Sequence, residues 1–295
     1  MLTHDLNVTA GRPHTPSGIP VGGPDGVYEL EDDSGFYLTA ANDYLAFEAD
    51  LWTPTQISTL SWYDVSDNST ITEAGGIVTS IADKSGNGIN LTANSASTNN
   101  HTLLSASQNG LDVVDLDGDD RYEATSAIAV PNGDVSFFIV CKVDTVSNSA
   151  DSILSGVASN NTFNFQSSTS NNFRPVVLGP NFATTSTTTN YEGAYRVYNA
   201  LFDYGGGSGK YYSIVDGSTV GSKNYTTALN QSLDIQVFSD RNQFFCPEGQ
   251  LAEIVVCTDV TTSTRQKIEG YLAHKWGIDG NLDSSHPYAL SAPTI

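Results

Sequence analysis

The run Asp115-Leu-Asp-Gly-Asp-Asp120 holds the densest group of carboxylates in the chain. Closely spaced acids are what a hard cation such as calcium binds, because it takes about six to eight oxygen ligands. An EF-hand loop is excluded, since glycine stands at the fourth position of the run and Ser126 at the twelfth. Asp117, Asp119 and Asp120 are therefore the first ligands to test for a cation. The same acids also suit a turn at a strand end, where they would hydrogen-bond to backbone amides. Both readings stand at this point, and no cofactor is required by either.

Other chemistry finds little support. Gly205-Gly-Gly-Ser-Gly-Lys210 has the look of a phosphate loop, but tyrosine occupies both 204 and 211, where a Walker motif needs glycine and a hydroxyl residue. There is no Gly-x-Ser-x-Gly elbow and no His-Glu-x-x-His zinc helix. Of five histidines, His4 and His14 lie near the N-terminus and His286 near the C-terminus. Catalysis is not expected. Tyrosines are dense between 190 and 212, and a sugar's apolar face stacks on an aromatic ring. Strand alternation sends some of these rings into the core; Tyr191, Tyr204 and Tyr211 are the glycan-stacking candidates.

A net charge of -21 with no run of Lys or Arg gives nucleic acid no place to bind. The first residues carry no basic segment followed by an apolar stretch. No run of about 18 apolar residues occurs, so synthesis in a cytosol without membrane insertion is expected. Cys141 and Cys257 fall in apolar runs and read as buried free thiols, Cys246 being the third cysteine.

The elements that must position these residues are mostly strands. Thr, Ser, Asn and Gly are abundant, and short apolar runs bounded by turn residues recur from Leu111–Leu116 to Leu251–Cys257, the spacing of an antiparallel sandwich. Asp216-Gly217 between two such runs marks a two-residue hairpin. Ile268, Tyr271, Leu272 and Trp276 form the stripe of one amphipathic helix, capped by Thr261 or Thr262 and ended by Gly277, with His274 on its polar side. Residues 27–50 read as two or three short strands. Residues 1–26 are rich in Pro and Gly and read as an extended arm without a core of its own.

Two segments carry a family resemblance: Trp62-Tyr-Asp-Val-Ser-Asp67, running on to Asp83-Lys-Ser-Gly-Asn-Gly88, and Arg265-Gln-Lys-Ile-Glu-Gly-Tyr-Leu-Ala-His-Lys-Trp-Gly277, running on to His286-Pro-Tyr288. Together they resemble the opening and closing segments of concanavalin A-like, laminin-G-like sandwich modules, which are common in bacteriophage structural proteins and bacterial surface proteins. The resemblance implies an all-β jelly-roll sandwich over 51–290 with one C-terminal helix, preceded by the arm and a short β segment and followed by a tail at 291–295. It also implies structural roles for Asp64, Asp67 and the 83–88 loop. The sandwich-fold glycosidases of this type carry Glu-x-Asp-x-Glu or Glu-x-Asp-x-x-Glu on one strand, and neither occurs here. The related modules place an acid near the third helical position; here Ser263-Thr264 stands there, which predicts a helix start weaker by about 0.5–1 kcal/mol.

The expected role is that of a non-enzymatic bacteriophage virion protein, a head decoration, fibre or tail appendage. It would attach to other virion proteins through 1–26, form a homo-oligomer and reside in the virion. The alternative is a carbohydrate-binding, receptor-recognition module of a tail fibre or bacterial adhesin, with a host-surface glycan as partner.

Overall fold

The computed structural model describes residues 50–295 apart from 96–99, 131–132, 149, 158–161, 168–172, 179–182, 185–191, 206–208, 227, 230 and 241, together with the backbone of three strands before residue 50. The chain divides into two units, Met1–Leu51 with Thr294–Ile295, and Trp52–Pro293. In the first, Val27–Leu30, Phe36–Thr39 and Leu45–Phe47 form an antiparallel three-stranded sheet in chain order. The expected arm, residues 1–26, lies outside the described residues.

The second unit is a jelly-roll β-sandwich, with eighteen antiparallel strands among the described residues. One sheet runs Ser218–Tyr225, Gly209–Val215, Tyr195–Asp203, Val135–Thr145, Glu248–Cys257. Beyond that last strand, Thr59–Asp64 and Leu111–Asp117 share its outer edge, the first on residues 253–257 and the second on 248–251. The other sheet runs from Phe173–Leu178 through Thr162–Ser167, Ser152–Val157, Ser232–Val237, Asp120–Ala124 and Leu91–Ser95 to Ile77–Ile81. Among the described residues no helix is long and apolar enough to cross a membrane.

Strand alternation explains the near-continuous apolar text of Val135–Thr145. Phe137, Ile139, Cys141 and Val143 point between the sheets, where they meet Phe163, Phe165 and Tyr198. Phe138 and Val140 point the other way, toward Ile268 and Leu272 of the helix Thr262–Lys275 and Trp276 at its C-cap. A strand covered on both faces has no polar side to show. Cys141 and Cys257 are buried and unpaired.

The helix is anchored at both ends by groups outside it. Thr261 Oγ1 accepts the Thr264 amide at 3.4 Å. Asp259 accepts the Thr261 amide at 2.9 Å and the Thr264 hydroxyl at 2.6 Å. The first turn carries no acid, as expected, and Asp259, two residues before the cap, bonds the cap from outside the helix. At the other end Gly277 takes φ +64°, and Gln108 and Asn109 donate side-chain amides to the Trp276 and Lys275 carbonyls. Gly270 leaves room for Tyr288, since a Cβ there would lie 2.6 Å from the Tyr288 Cβ. His274, on the polar side of the helix, is half-buried with Nε2 2.8 Å from the Tyr288 carbonyl. Asp216 and Gly217 both take positive φ, 48° and 77°, as a type I′ hairpin requires.

The paired sequence signature converges on one buried carboxylate. Glu253, fully buried in strand Glu248–Cys257, accepts from Trp62 Nε1 at 2.7 Å, Tyr271 Oη at 2.9 Å, Lys275 Nζ at 2.7 Å and Trp276 Nε1 at 2.8 Å. Lys275 also reaches Asp64 at 2.7 Å, and Lys84 joins Asp64 and Asp67 at 3.0 and 2.6 Å. Burial pushes the Glu253 carboxyl up, against the pull of Lys275. Burial also opposes ionisation of Asp64, but Lys275, Ser66 and Lys84 outweigh it and hold that carboxyl below its usual range.

Trp276→Ala removes a fully buried ring between helix and sheet, and should cost about 3–5 kcal/mol in denaturant unfolding. A loss below about 1 kcal/mol would mean that the helix does not pack on this indole.

Candidate functional site

Two crossovers run side by side along one edge of the sandwich. The first is the turn from Leu111–Asp117 in one sheet to Asp120–Ala124 in the other. The second is the loop from Ser232–Val237 to Glu248–Cys257, which passes back between the same two sheets. Register holds them together, because Asp117 pairs with Glu248 on one side and Tyr122 with Val237 on the other. Gly118, at φ +95°, lies against the Glu248 side chain; a Cβ there would be 3.0 Å from its Cγ.

The first crossover brings Asp117, Asp119 and Asp120 together, with one carboxylate oxygen from each within 4.8 Å of the others. Asn100 donates its side-chain amide to Asp117 at 2.7 Å and its backbone amide to Asp120 at 3.2 Å. Burial pushes the Asp120 carboxyl up to about 6, and the neighbouring Asp117 charge adds to the rise. Asp117 goes the other way: burial alone would raise it, but the Asn100 amide and the Asp119 N–H outweigh burial and hold it below the carboxylate range. His101 lies beneath, fully buried, with its ring edge-to-face on Tyr122 at 4.6 Å. Burial lowers the basicity of its imidazole.

The second crossover presents Phe244, whose side chain is 80% exposed. A ring so exposed is held in place only if its backbone is. Asp240 Oδ1 accepts the Phe244 and Phe245 amides at 2.9 and 3.2 Å, and the Asp240 carbonyl accepts the Gln243 amide at 2.9 Å. Gln243 itself sits at φ +67°, a left-handed conformation that costs a non-glycine residue energy. Its side chain ties the two crossovers, accepting from Arg121 at 3.3 Å and donating to Glu123 at 3.0 Å. Arg121 and Asn94 also donate to Glu123, at 3.2 and 2.8 Å. A rim of planar polar groups thus adjoins one exposed ring.

The tyrosines are placed elsewhere. Tyr211 is fully buried, stacks on Phe202 with ring centroids 5.6 Å apart and donates its hydroxyl to the Pro175 carbonyl at 2.7 Å. It is a core residue, which corrects its reading as an exposed stacking platform. Tyr204 is half-buried, leans on Tyr225 at 5.8 Å, and receives its backbone anchor from Asp134 at 2.6 Å. Tyr191 lies outside the described residues. In the sheet, Tyr195–Asp203 and Gly209–Val215 are separated from Leu111–Asp117 by Val135–Thr145 and Glu248–Cys257, so Tyr204 and Tyr211 do not join the acids.

A groove of about 480 Å³ includes Gln108, Lys142, Tyr195, Gln250 and Asn281 in its lining. Several of its polar groups are committed to one another. Tyr195 Oη donates to Gln250 at 2.6 Å, Gln250 to Asp115 at 3.2 Å, and Asn281 to the Tyr195 carbonyl at 3.3 Å. The 83–88 loop is likewise spent on structure, with Asp83 accepting the Trp62, Ser85 and Ile89 amides.

No protein-family model matches the chain, and no curated protein matches it in sequence. Among solved structures it is similar to domain 4 of AbnA, a GH43 extracellular arabinanase from Geobacillus stearothermophilus, in complex with arabinotriose. The TM-score is 0.52 at 13% identity, over 70% of this chain and 95% of that one. A mutant of HCR/D is similar at a TM-score of 0.50 and 10% identity, over 72% of this chain and 51% of that one, so the match spans about half of its length. At these identities the likeness is one of fold, a β-sandwich of jelly-roll type.

Tyr211→Phe should cost about 1 kcal/mol in denaturant unfolding through the lost bond to Pro175. No loss of stability would contradict the buried position of its hydroxyl.

Proposed function

We propose that this chain is a non-catalytic, glycan-binding sandwich module, borne on a bacteriophage particle through residues 1–26. The observation that carries the binding half is Phe244, exposed on a pinned crossover beside Gln243, Arg121, Glu123 and Asn94. An aromatic face takes the apolar side of a sugar ring, while planar amide, carboxylate and guanidinium groups take its hydroxyls. The arabinotriose bound to domain 4 of AbnA supports a sugar as the class of ligand on this architecture. The absence of a paired-glutamate strand motif supports binding without hydrolysis. The particle half is supported by the resemblance of the Trp62 and Trp276 segments to phage modules and by the Pro/Gly text of residues 1–26, a composition that builds no core of its own.

An oligosaccharide array that includes arabinotriose tests the first half. Binding to at least one glycan is expected, and Phe244→Ala should weaken it by about tenfold with the melting temperature unchanged. No binding to any glycan at millimolar concentration would refute the reading. For the second half, deletion of residues 1–26 should leave a folded sandwich that no longer joins particles; incorporation at normal copy number would place attachment on the sandwich instead.

A further inference from the structure

One acid of the first crossover, Asp120, faces a buried lone pair that no hydrogen-bond donor satisfies. His101 Nε2 lies 2.8 Å from the Arg121 carbonyl, which only accepts, so Nε2 carries the proton of the neutral ring. Nδ1 is then an acceptor. It is buried without a hydrogen-bond donor, and the atom it faces, Asp120 Oδ1 at 3.4 Å, is an acceptor as well. Asp120 Oδ2 is also buried without a partner, on a side chain that is 0% exposed. Buried polar atoms left in this state are uncommon, and each calls for an unseen ion or water.

The surrounding groups supply no positive charge to answer them. The Arg121 side chain is turned to Glu123 and Gln243, and the Asn100 amides contribute dipoles only. The mutual spacing of the Asp117, Asp119 and Asp120 oxygens, within 4.8 Å, suits one shared cation: oxygens bound to calcium at about 2.3–2.6 Å stand up to roughly 5 Å apart. The three carboxylates come from a four-residue turn opened by Gly118, and Asn100 holds two of them from a neighbouring segment. We propose that Asp117, Asp119 and Asp120 bind one calcium ion at the crossover edge. The oxygen donors select a hard cation, whereas a zinc or copper site would draw on the His101 nitrogen.

This inference does not rest on the glycan reading, and a chain that binds calcium but no sugar would retain it. The test is calorimetric titration of calcium chloride into the full chain after treatment with EDTA, with thermal melting followed in parallel. One ion per chain is expected, with a rise in Tm that EDTA reverses. Asp119→Asn, at a half-buried position, should weaken binding by about tenfold or more, since affinity follows the count of charged ligands, while circular dichroism shows the sandwich intact. Asp112→Asn, on the same strand but outside the turn, should leave it unchanged. No heat and no Tm shift at millimolar calcium would overturn the proposal. So would unweakened calcium binding by Asp119→Asn, or binding of zinc without calcium.

Discussion

The buried carboxyl of Glu253 holds the closing helix to the sandwich. A fully buried carboxylate is costly unless its lone pairs are filled, and here two indole N–H groups, a phenol and an ammonium fill them. Each donor comes from a segment that must be placed: Trp62 from the opening strand, Tyr271, Lys275 and Trp276 from the closing helix. The arrangement makes the two ends of the sandwich unit fold against each other. Asp64 and Lys84 extend the network to the 83–88 loop through the shared Lys275 contact. Removing one member of such a set strands the others, which is why the network acts as a unit.

This explains what the sequence makes legible. The signature segments are dense in Trp, Asp and Lys because they build this buried network, so they announce the fold and are silent about a ligand. Strand runs such as Leu233–Phe238 and the Asp216-Gly217 hairpin are legible for local reasons, short apolar runs bounded by turn residues and positive φ. Glu253 itself is visible only as one acid inside the apolar run Leu251–Cys257, a signal that marks a buried charge without naming its partners. Asp259 was hidden because it caps from outside the helical window.

The candidate site was only half legible. The carboxylate run stands out by density. Its neighbour Phe244 does not, since an isolated aromatic in a loop acquires meaning only when the sheet order places two crossovers side by side. Tyr211 and Tyr212 show the opposite limit: adjacent residues on a strand face opposite ways, and only the register shows that Tyr211 faces the core. Stability and the proposed binding thus fall on different parts of the molecule, the Glu253 network beneath the helix and the two crossovers at the edge.

Hydrogen exchange of the full chain, compared in calcium and in chelator, tests that division most directly. The account predicts slower exchange in both crossovers together, 117–120 and 238–247, with the helix Thr262–Lys275 unchanged. Protection confined to the helix, or to the groove at Lys142 and Tyr195, would contradict it.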